Sequence, residues 1–367
     1  MLKVIKRVEY YNKRFFQFIT KLLVVNDKAN LPLNISDIKN ILLLRTDRIG
    51  DMAVSTPLIR ALRKSVPNAS IFVFASEINA SLIKGDRDIS EVFIKRKNIA
   101  KTLMQVISIR RRKIDLLINL NLNKSLTNAI LSHFAVPKGI KVASVNNHQY
   151  SNFYNYLIGI ERNNEIHMSL LLLKFLELFG KLSIEHDSHL SISIDVHASK
   201  EAEILLRSLD LLKDQFLVFN ISSIHSNRNT TDDFVIELLK GLLDNISNPI
   251  LLISDPSQRN RLRFLSTSID SNRIKISPAI ELMTLTAVLS NCKLVITPDT
   301  ALVHLACGVN VPVAAFYTRG EKFYNEWQPI GVSHISIFAE GILPVRDLEP
   351  RYALVQIMKL YDEISVN

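Results

Sequence analysis

Residues 294–316 read Leu-Val-Ile-Thr-Pro-Asp-Thr-Ala-Leu-Val-His-Leu-Ala-Cys-Gly-Val-Asn-Val-Pro-Val-Ala-Ala-Phe. Three side chains here could do chemistry together: the carboxylate of Asp299, the hydroxyl of Thr300 and the imidazole of His304. Thr300 and His304 are four apart, so on a helix they share one face. The apolar run 294–296 reads as a buried parallel strand, broken by Thr297, Pro298 and Asp299. A short helix is expected from about Thr300, with Gly308 as the residue just past its end. A second buried strand, 311–316, follows. A helix that begins at the carboxyl edge of a parallel sheet aims its N–H groups and positive dipole end outward, which makes an anion site. Acid, hydroxyl and imidazole thus gather where a diphosphate could sit. Thr300 and the Ala301 N–H are placed to hold its oxygens, and His304 could donate to a phosphate or serve only as a satisfied core residue.

A second cluster lies near the other end of the chain. The run Ile-Leu-Leu-Leu-Arg at 41–45 reads as a strand and leads into Thr46-Asp47-Arg48-Ile49-Gly50-Asp51. Gly50 lets this loop turn without a Cβ clash. Asp51 could remove a proton from an acceptor hydroxyl, or could simply cap the following helix. Asp47 is the rival base, and Arg48 could hold an acceptor phosphate. In the polar loop 220–231, Ser222, Ser223 and Arg228 could bind phosphate, Arg being suited to two-pronged contact. A plain solvated loop is the alternative there. Asp255, after another strand, could meet a ribose or equally well form a plain cap, and Glu281 reads as a surface helix turn facing the cleft.

These residues carry a family resemblance. Asp299, Thr300, His304, Ala306, Pro312, Val313, Phe316, Thr318, Trp327 and Pro329 stand where glycosyltransferase family 9, the ADP-heptose:lipopolysaccharide heptosyltransferases, has its Asp-Thr/Ser-Gly-x-x-His-x-Ala motif and the Pro-Val and Phe-Gly-x-Thr segments after it. The N-terminal signature, a strand, then Gly-Asp, then Thr/Ser-x-Pro, is matched by Gly50, Asp51, Ser55 and Pro57, and Leu62, Arg63 and Pro67 also fit. The resemblance spans about residues 40–350. It departs at Ala301 and Tyr317, where the family has Gly, and in 220–231, which lacks the Trp-Pro pair. The resemblance implies a GT-B fold, an inverting transfer, Asp51 as base and Asp299 on donor-sugar hydroxyls. It implies ADP-heptose as donor and a lipopolysaccharide or lipooligosaccharide core as acceptor. No cofactor is implied, and no cluster has metal-ligand spacing.

The chain has 367 residues, 47% of them hydrophobic, which suits two α/β domains with full cores. Strand and helix patterns alternate in two arrays, which predicts two Rossmann-like, doubly wound domains facing across a cleft. The expected organisation is a basic amphipathic arm over 1–38, an acceptor domain over 39–184 and a nucleotide-sugar domain over 185–348. A final helix over 349–367 is expected to cross back to the first domain. The polar stretch 185–199 is the expected linker, and one continuous helix is expected over 166–180. The two cysteines, Cys292 and Cys307, form no disulfide framework and read as buried, reduced thiols.

The net charge of +10 is uneven. Residues 1–28 carry seven Lys/Arg against Glu9 and Asp27, and residues 95–113 carry eight with no acid. Such patches attract polyanions. An anionic membrane face or a phosphorylated glycolipid fits better than nucleic acid, since no nucleic-acid module appears and no aromatics interleave with the basic runs. Ordinary solvated faces are the other reading. Residues 4–25 could form an amphipathic helix that lies on a membrane or packs on the body. No secretory signal is seen, so the expected location is cytoplasmic, with peripheral attachment to the inner face of the membrane as an extension. Three other readings stand beside this one. A transferase using a different nucleotide sugar would keep the fold. A nicotinamide oxidoreductase would need a glycine fingerprint after the first strand, and Arg-Thr-Asp-Arg-Ile-Gly-Asp is not one. A non-enzymatic binding protein would keep the basic patches without needing Asp51.

Overall fold

A computed structural model describes residues 24, 26–180, 188–223, 225–318, 323–339 and 345–366. Most of the N-terminal arm and part of the expected linker lie outside these residues. Among the described residues, twelve strands form two wholly parallel sheets. The first holds β1 (Asn40–Arg45), β2 (Ser70–Ser76), β3 (Glu91–Lys95), β4 (Leu116–Asn119), β5 (Ile140–Ser144) and β6 (Tyr156–Ile158). The second holds β7 (Leu217–Asn220), β8 (Ile250–Ile253), β9 (Ile274–Ile276), β10 (Leu294–Pro298), β11 (Val313–Tyr317) and β12 (His334–Phe338). The orders are β3-β2-β1-β4-β5-β6 and β12-β11-β10-β7-β8-β9. Counted from its own first strand, each is the doubly wound nucleotide-fold order, with a topological switch between its first and fourth strands. The two clusters read from the sequence follow β1 and β10, so each lies at a switch point.

The central strands are apolar on both faces, as a parallel sheet covered on both sides requires. Leu42 and Leu44 face one side, with Val106 and Ile109 of the helix Ile99–Arg111. Ile41 and Leu43 face the other, beneath the helices Ile49–Ala53, Thr56–Ser65 and Met168–Leu173. That inner core runs without a break into the inner face of the second sheet, through Val303, Leu305 and Ala306 to Val295 and Val313. The helices Ile49–Ala53 and Ala301–Gly308 touch each other across the junction.

Several local expectations change. β6 and β12 were not visible in the sequence: β6 has three residues, and β12 is a half-exposed edge strand. The expected single helix over 166–180 is an α-helix, Met168–Leu173, that tightens into a 3-10 helix, Lys174–Phe179. Gly308 is not the stop residue of its helix. It lies in the last turn, and a Cβ there would stand 2.4 Å from Ile192 Cδ1. The left-handed turn is taken by Asn310, at φ 61°. The C-terminal helix Pro350–Val366 does not cross back. It packs on the helix Asp232–Asn245 and β12, burying Ala353, Ile357 and Leu360 in the outer core of the second sheet. Those apolar positions recur at helical spacing, so the helix covers the nearest open face.

Candidate active site between the two sheets

The first cluster is built around a residue the sequence reading passed over. Arg45 ends β1 with its side chain only 2% exposed, and a buried guanidinium must find acceptors. Its Nε donates to Asp51 O at 2.9 Å and its NH1 to Leu120 O at 2.7 Å. NH1 also lies 3.2 Å from Asp47 Oδ2, and NH2 3.3 Å from Asp51 Oδ1. One cation therefore holds both candidate bases. The loop path is fixed from β2's end, where the buried Asn79 amide donates to Arg45 O and Asp47 O at 3.2 Å and to Arg48 O at 3.4 Å. Ser76 Oγ adds a 3.0 Å bond to Asp47 O.

The loop itself coils into the short helix Ile49–Ala53, whose N-cap position is Arg48. Asp51 is thus a first-turn residue, not a cap, and its carboxylate turns to Arg45. Asp47 and Asp51 are about equally exposed, at 20% and 19%, but Asp47 Oδ1 is buried without a hydrogen-bond partner. Burial, opposed by Arg45 and reinforced by Asp51, raises its pKa from 3.8 to about 6.

At the second switch point Arg228 NH2 meets Asp299 Oδ2 at 2.8 Å, and NH1 donates to Asp299 O at 3.2 Å. Thr300 is the N-cap of the helix Ala301–Gly308, accepting from Leu302 N at 3.3 Å. Beneath it a buried polar chain joins the strand ends: Asn220 Nδ2 donates to Thr297 Oγ1 at 3.0 Å, which lies 3.1 Å from Thr300 Oγ1. Ser222 is buried, and its hydroxyl accepts from Asp255 N at 2.7 Å. Ser223 accepts from His225 N at 3.2 Å and gives its own N–H to Asn229 Oδ1 at 2.6 Å. Asp255 caps the turn Pro256–Gln258, accepting from Ser257 N at 2.9 Å.

The two clusters meet. A Cβ on Gly50 would lie 3.0 Å from His304 Cδ2, so the glycine is what lets the loop reach that helix. His304 is 3% exposed, its Nδ1 has no hydrogen-bond partner, and its ring lies 5.5 Å from Trp327 and 6.4 Å from His167. Burial, with His167 beside it, lowers its pKa to about 3, so it is a neutral imidazole. Arg48 NH1 reaches His225 Nε2 across the cleft at 3.5 Å.

A small open cleft lies here, lined among others by Arg45, Asp47, Asp51, Asn123, Arg162 and Trp327. Arg162, from the loop after β6, donates to Glu326 Oε2 at 2.7 Å and to Asn123 Oδ1 at 3.3 Å and lies over the Phe323 ring at 4.4 Å. Glu326 is fully buried and also accepts from Asn164 N at 3.2 Å. His167 Nε2 adds a 3.1 Å contact to Gln328 O. This clasp joins the two halves beside Asp51.

The predicted residues thus fall into three places. Asp47, Arg48 and Asp51 gather at the first switch point, and Arg228, Asp299, Thr300 and Ala301 at the second. His304 sits between them. The Ser222 hydroxyl is committed to Asp255 N and Asn220 Oδ1. Arg45 had a signal, a charge ending an apolar strand. Arg162 and Glu326 are 164 residues apart and had none.

Two facing parallel sheets, each with a polar cluster at its switch point and a shared cleft, define the GT-B class of transferase folds. The chain belongs to glycosyltransferase family 9 (heptosyltransferase), whose model matches residues 106–344, and it is a glycosyltransferase. No curated protein matches its sequence. Solved structures share the fold. A family 9 glycosyl transferase from Veillonella parvula DSM 2008 has TM-score 0.78 at 18% identity, covering 89% of this chain and 98% of that one. The E. coli ADP-heptose lps heptosyltransferase II has TM-score 0.74 at 17% identity, covering 89% and 99%. The E. coli heptosyltransferase WaaC with ADP has TM-score 0.68 at 18% identity, covering 89% and 98%. Among the described residues no helix is long and apolar enough to cross a membrane.

Proposed function

We propose that the chain transfers heptose from ADP-heptose to a lipopolysaccharide-type core acceptor, with inversion at the anomeric carbon. The contact between the two clusters, Gly50 against His304, carries the reading, because it brings a carboxylate loop and an anion-binding helix to one cleft. ADP bound in the E. coli WaaC structure and the ADP-heptose named for heptosyltransferase II support the donor.

In this reading the acceptor hydroxyl gives its proton to Asp51 as its oxygen attacks the anomeric carbon. The bond to the diphosphate breaks, and its electron pair leaves with the diphosphate oxygen. Arg45 fixes the base through both its backbone carbonyl and its carboxylate. Charge developing on the diphosphate is met by the N-terminus of the helix Ala301–Gly308 and by Arg228. Asp299, paired with Arg228, faces donor-sugar hydroxyls. Arg48 and Asp47 line the acceptor side, and Ser222, bonded to Asp255 N, and Ser223, bonded to Asn229, shape the phosphate loop. The acceptor half corresponds to the first sheet and the donor half to the second.

Ala301 carries a methyl at the helix entry, where the family pattern has Gly, and this favours one other reading: the same reaction with another nucleotide sugar. Incubating the protein with ADP-, UDP- and GDP-sugars and a deacylated core acceptor tests both. Acceptor-dependent release of ADP from ADP-heptose alone supports the first reading, and release of another nucleotide supports the second. Acceptor-independent release from every donor would sink the transfer mechanism.

A further inference from the structure

The helix Ile99–Arg111 covers the outer face of the first sheet with Val106 (4% exposed) and Ile109 (0%). Its solvent side is not polar. Ile99 is 78% exposed, Leu103 53%, Met104 64% and Ile107 52%. Ile99, Leu103 and Ile107 are spaced four apart and so form one ridge. Phe134, 54% exposed, lies on the neighbouring helix Leu126–Ala135. Around the ridge Lys97, Lys101, Arg110, Arg111 and Lys113 are exposed. Arg96 pairs with Glu77 at 3.2 Å and Arg112 with Glu91 at 2.6 Å, but both pairs are well exposed and cost the patch little of its field. No acidic residue occurs between 95 and 113.

We propose that this ridge and its basic collar dock the protein onto an anionic lipid bilayer. The ridge projects from a helix on the outside of the sheet. A peptide partner would want a groove. A nucleic acid would use the cations but has no need of four exposed aliphatic side chains. Apolar side chains that enter the acyl boundary, ringed by cations that meet anionic headgroups, match a bilayer on both counts. The placement suits the chemistry. The helix begins just after β3, so Ile99, Lys97 and Lys101 lie toward the carboxyl edge of the sheet, where Asp47 and Asp51 stand. Docking there turns the cleft's edge toward the headgroup layer. This last step rests on the glycolipid acceptor proposed above; the docking itself does not.

The test is co-sedimentation of the full chain with phosphatidylglycerol–phosphatidylcholine vesicles and with pure phosphatidylcholine vesicles, at low and high salt. The wild type is expected to bind the anionic vesicles and to weaken with salt. Leu103→Ser with Ile107→Ser is expected to weaken binding about tenfold or more at an unchanged melting temperature. Changing Lys97, Lys101, Arg110 and Arg111 to Gln is expected to do the same and to flatten the salt dependence. Wild-type affinity in the Ser variant would overturn the proposal. So would a lowered melting temperature in that variant, which would mean that the protein itself covers the ridge, and so would binding of the wild type to nucleic acid but not to vesicles. Turnover on a soluble acceptor, read in parallel, is expected to be unchanged in both variants. Vesicle binding without any turnover would retire the transferase reading and leave the docking face standing.

Discussion

The two switch points share a topology and differ in chemistry. At the first, one buried guanidinium, Arg45, holds two carboxylates, and a buried amide, Asn79, holds the backbone that carries them. At the second, hydroxyls and an amide, Asn220, Thr297 and Thr300, set the strand ends, and the charged pair Arg228–Asp299 sits at the rim. The first crowds two carboxylates around one cation in a confined space, and burial there favours the protonated form of Asp47. The second presents donors and a helix terminus and so suits an anion. A doubly wound sheet fixes where a site lies, and the loop residues decide what it can do.

The sharpest way to break this contrast is to remove one acid at a time. Asp51→Asn is expected to lower turnover by about 10² or more while leaving donor binding in place. Asp47→Asn should keep most of the activity. The reverse pattern, in steady-state nucleotide release, would move the base to Asp47.

Next in size is the donor side. Arg228→Ala should weaken binding of the nucleoside diphosphate by about tenfold through loss of a charge-assisted contact, with the acceptor KM nearly unchanged. Calorimetry with the diphosphate checks it, and equal losses on both substrates would blur the division between the halves.

A smaller effect tests the seam. Gly50→Ala places a Cβ at 3.0 Å from His304 Cδ2, and the neighbouring ring can give only by shifting against Trp327. A cost of about 1 kcal/mol is expected from such overpacking, read as a lower melting temperature with donor affinity less affected.

The smallest effect depends on pH. The Asp47 pKa is raised from 3.8 to about 6, so folding binds a proton there. Its ionisation then costs stability as pH rises between about 4 and 6, and the full cost is present above about 6. Asp47→Asn should therefore stabilise the protein at pH 8 and leave it unchanged near pH 4. Melting curves at the two pH values decide it; a stabilisation equal at both would point to packing instead of charge.

Much of this was legible in the residues. Apolar runs at 41–45, 294–296 and 311–316 gave strands at both switch points, because buried parallel strands must be apolar on both faces. The helix that starts near Thr300 could be read directly. What could not be read depends on distance in sequence. β12 is an edge strand whose alternating His-Ile-Ser-Ile-Phe resembles many loops until β11 lies beside it. Asn79 looks like an ordinary turn residue until three loop carbonyls converge on it. The course of the C-terminal helix followed from which apolar face was open, a property of the assembled second sheet. Gly308 looked like a helix stop, and only the packing of Ile192 reveals why a side chain is refused there.

The apolar core that runs from Leu43 under the first sheet to Val295 under the second has a further consequence for how the molecule comes apart. A protein whose halves met only through polar rims would melt in two steps, each half on its own terms. Here neither half can lose its inner helices without exposing the other's buried leucines and valines. The halves are thermodynamic hostages to each other, and they lose their structure as one cooperative unit.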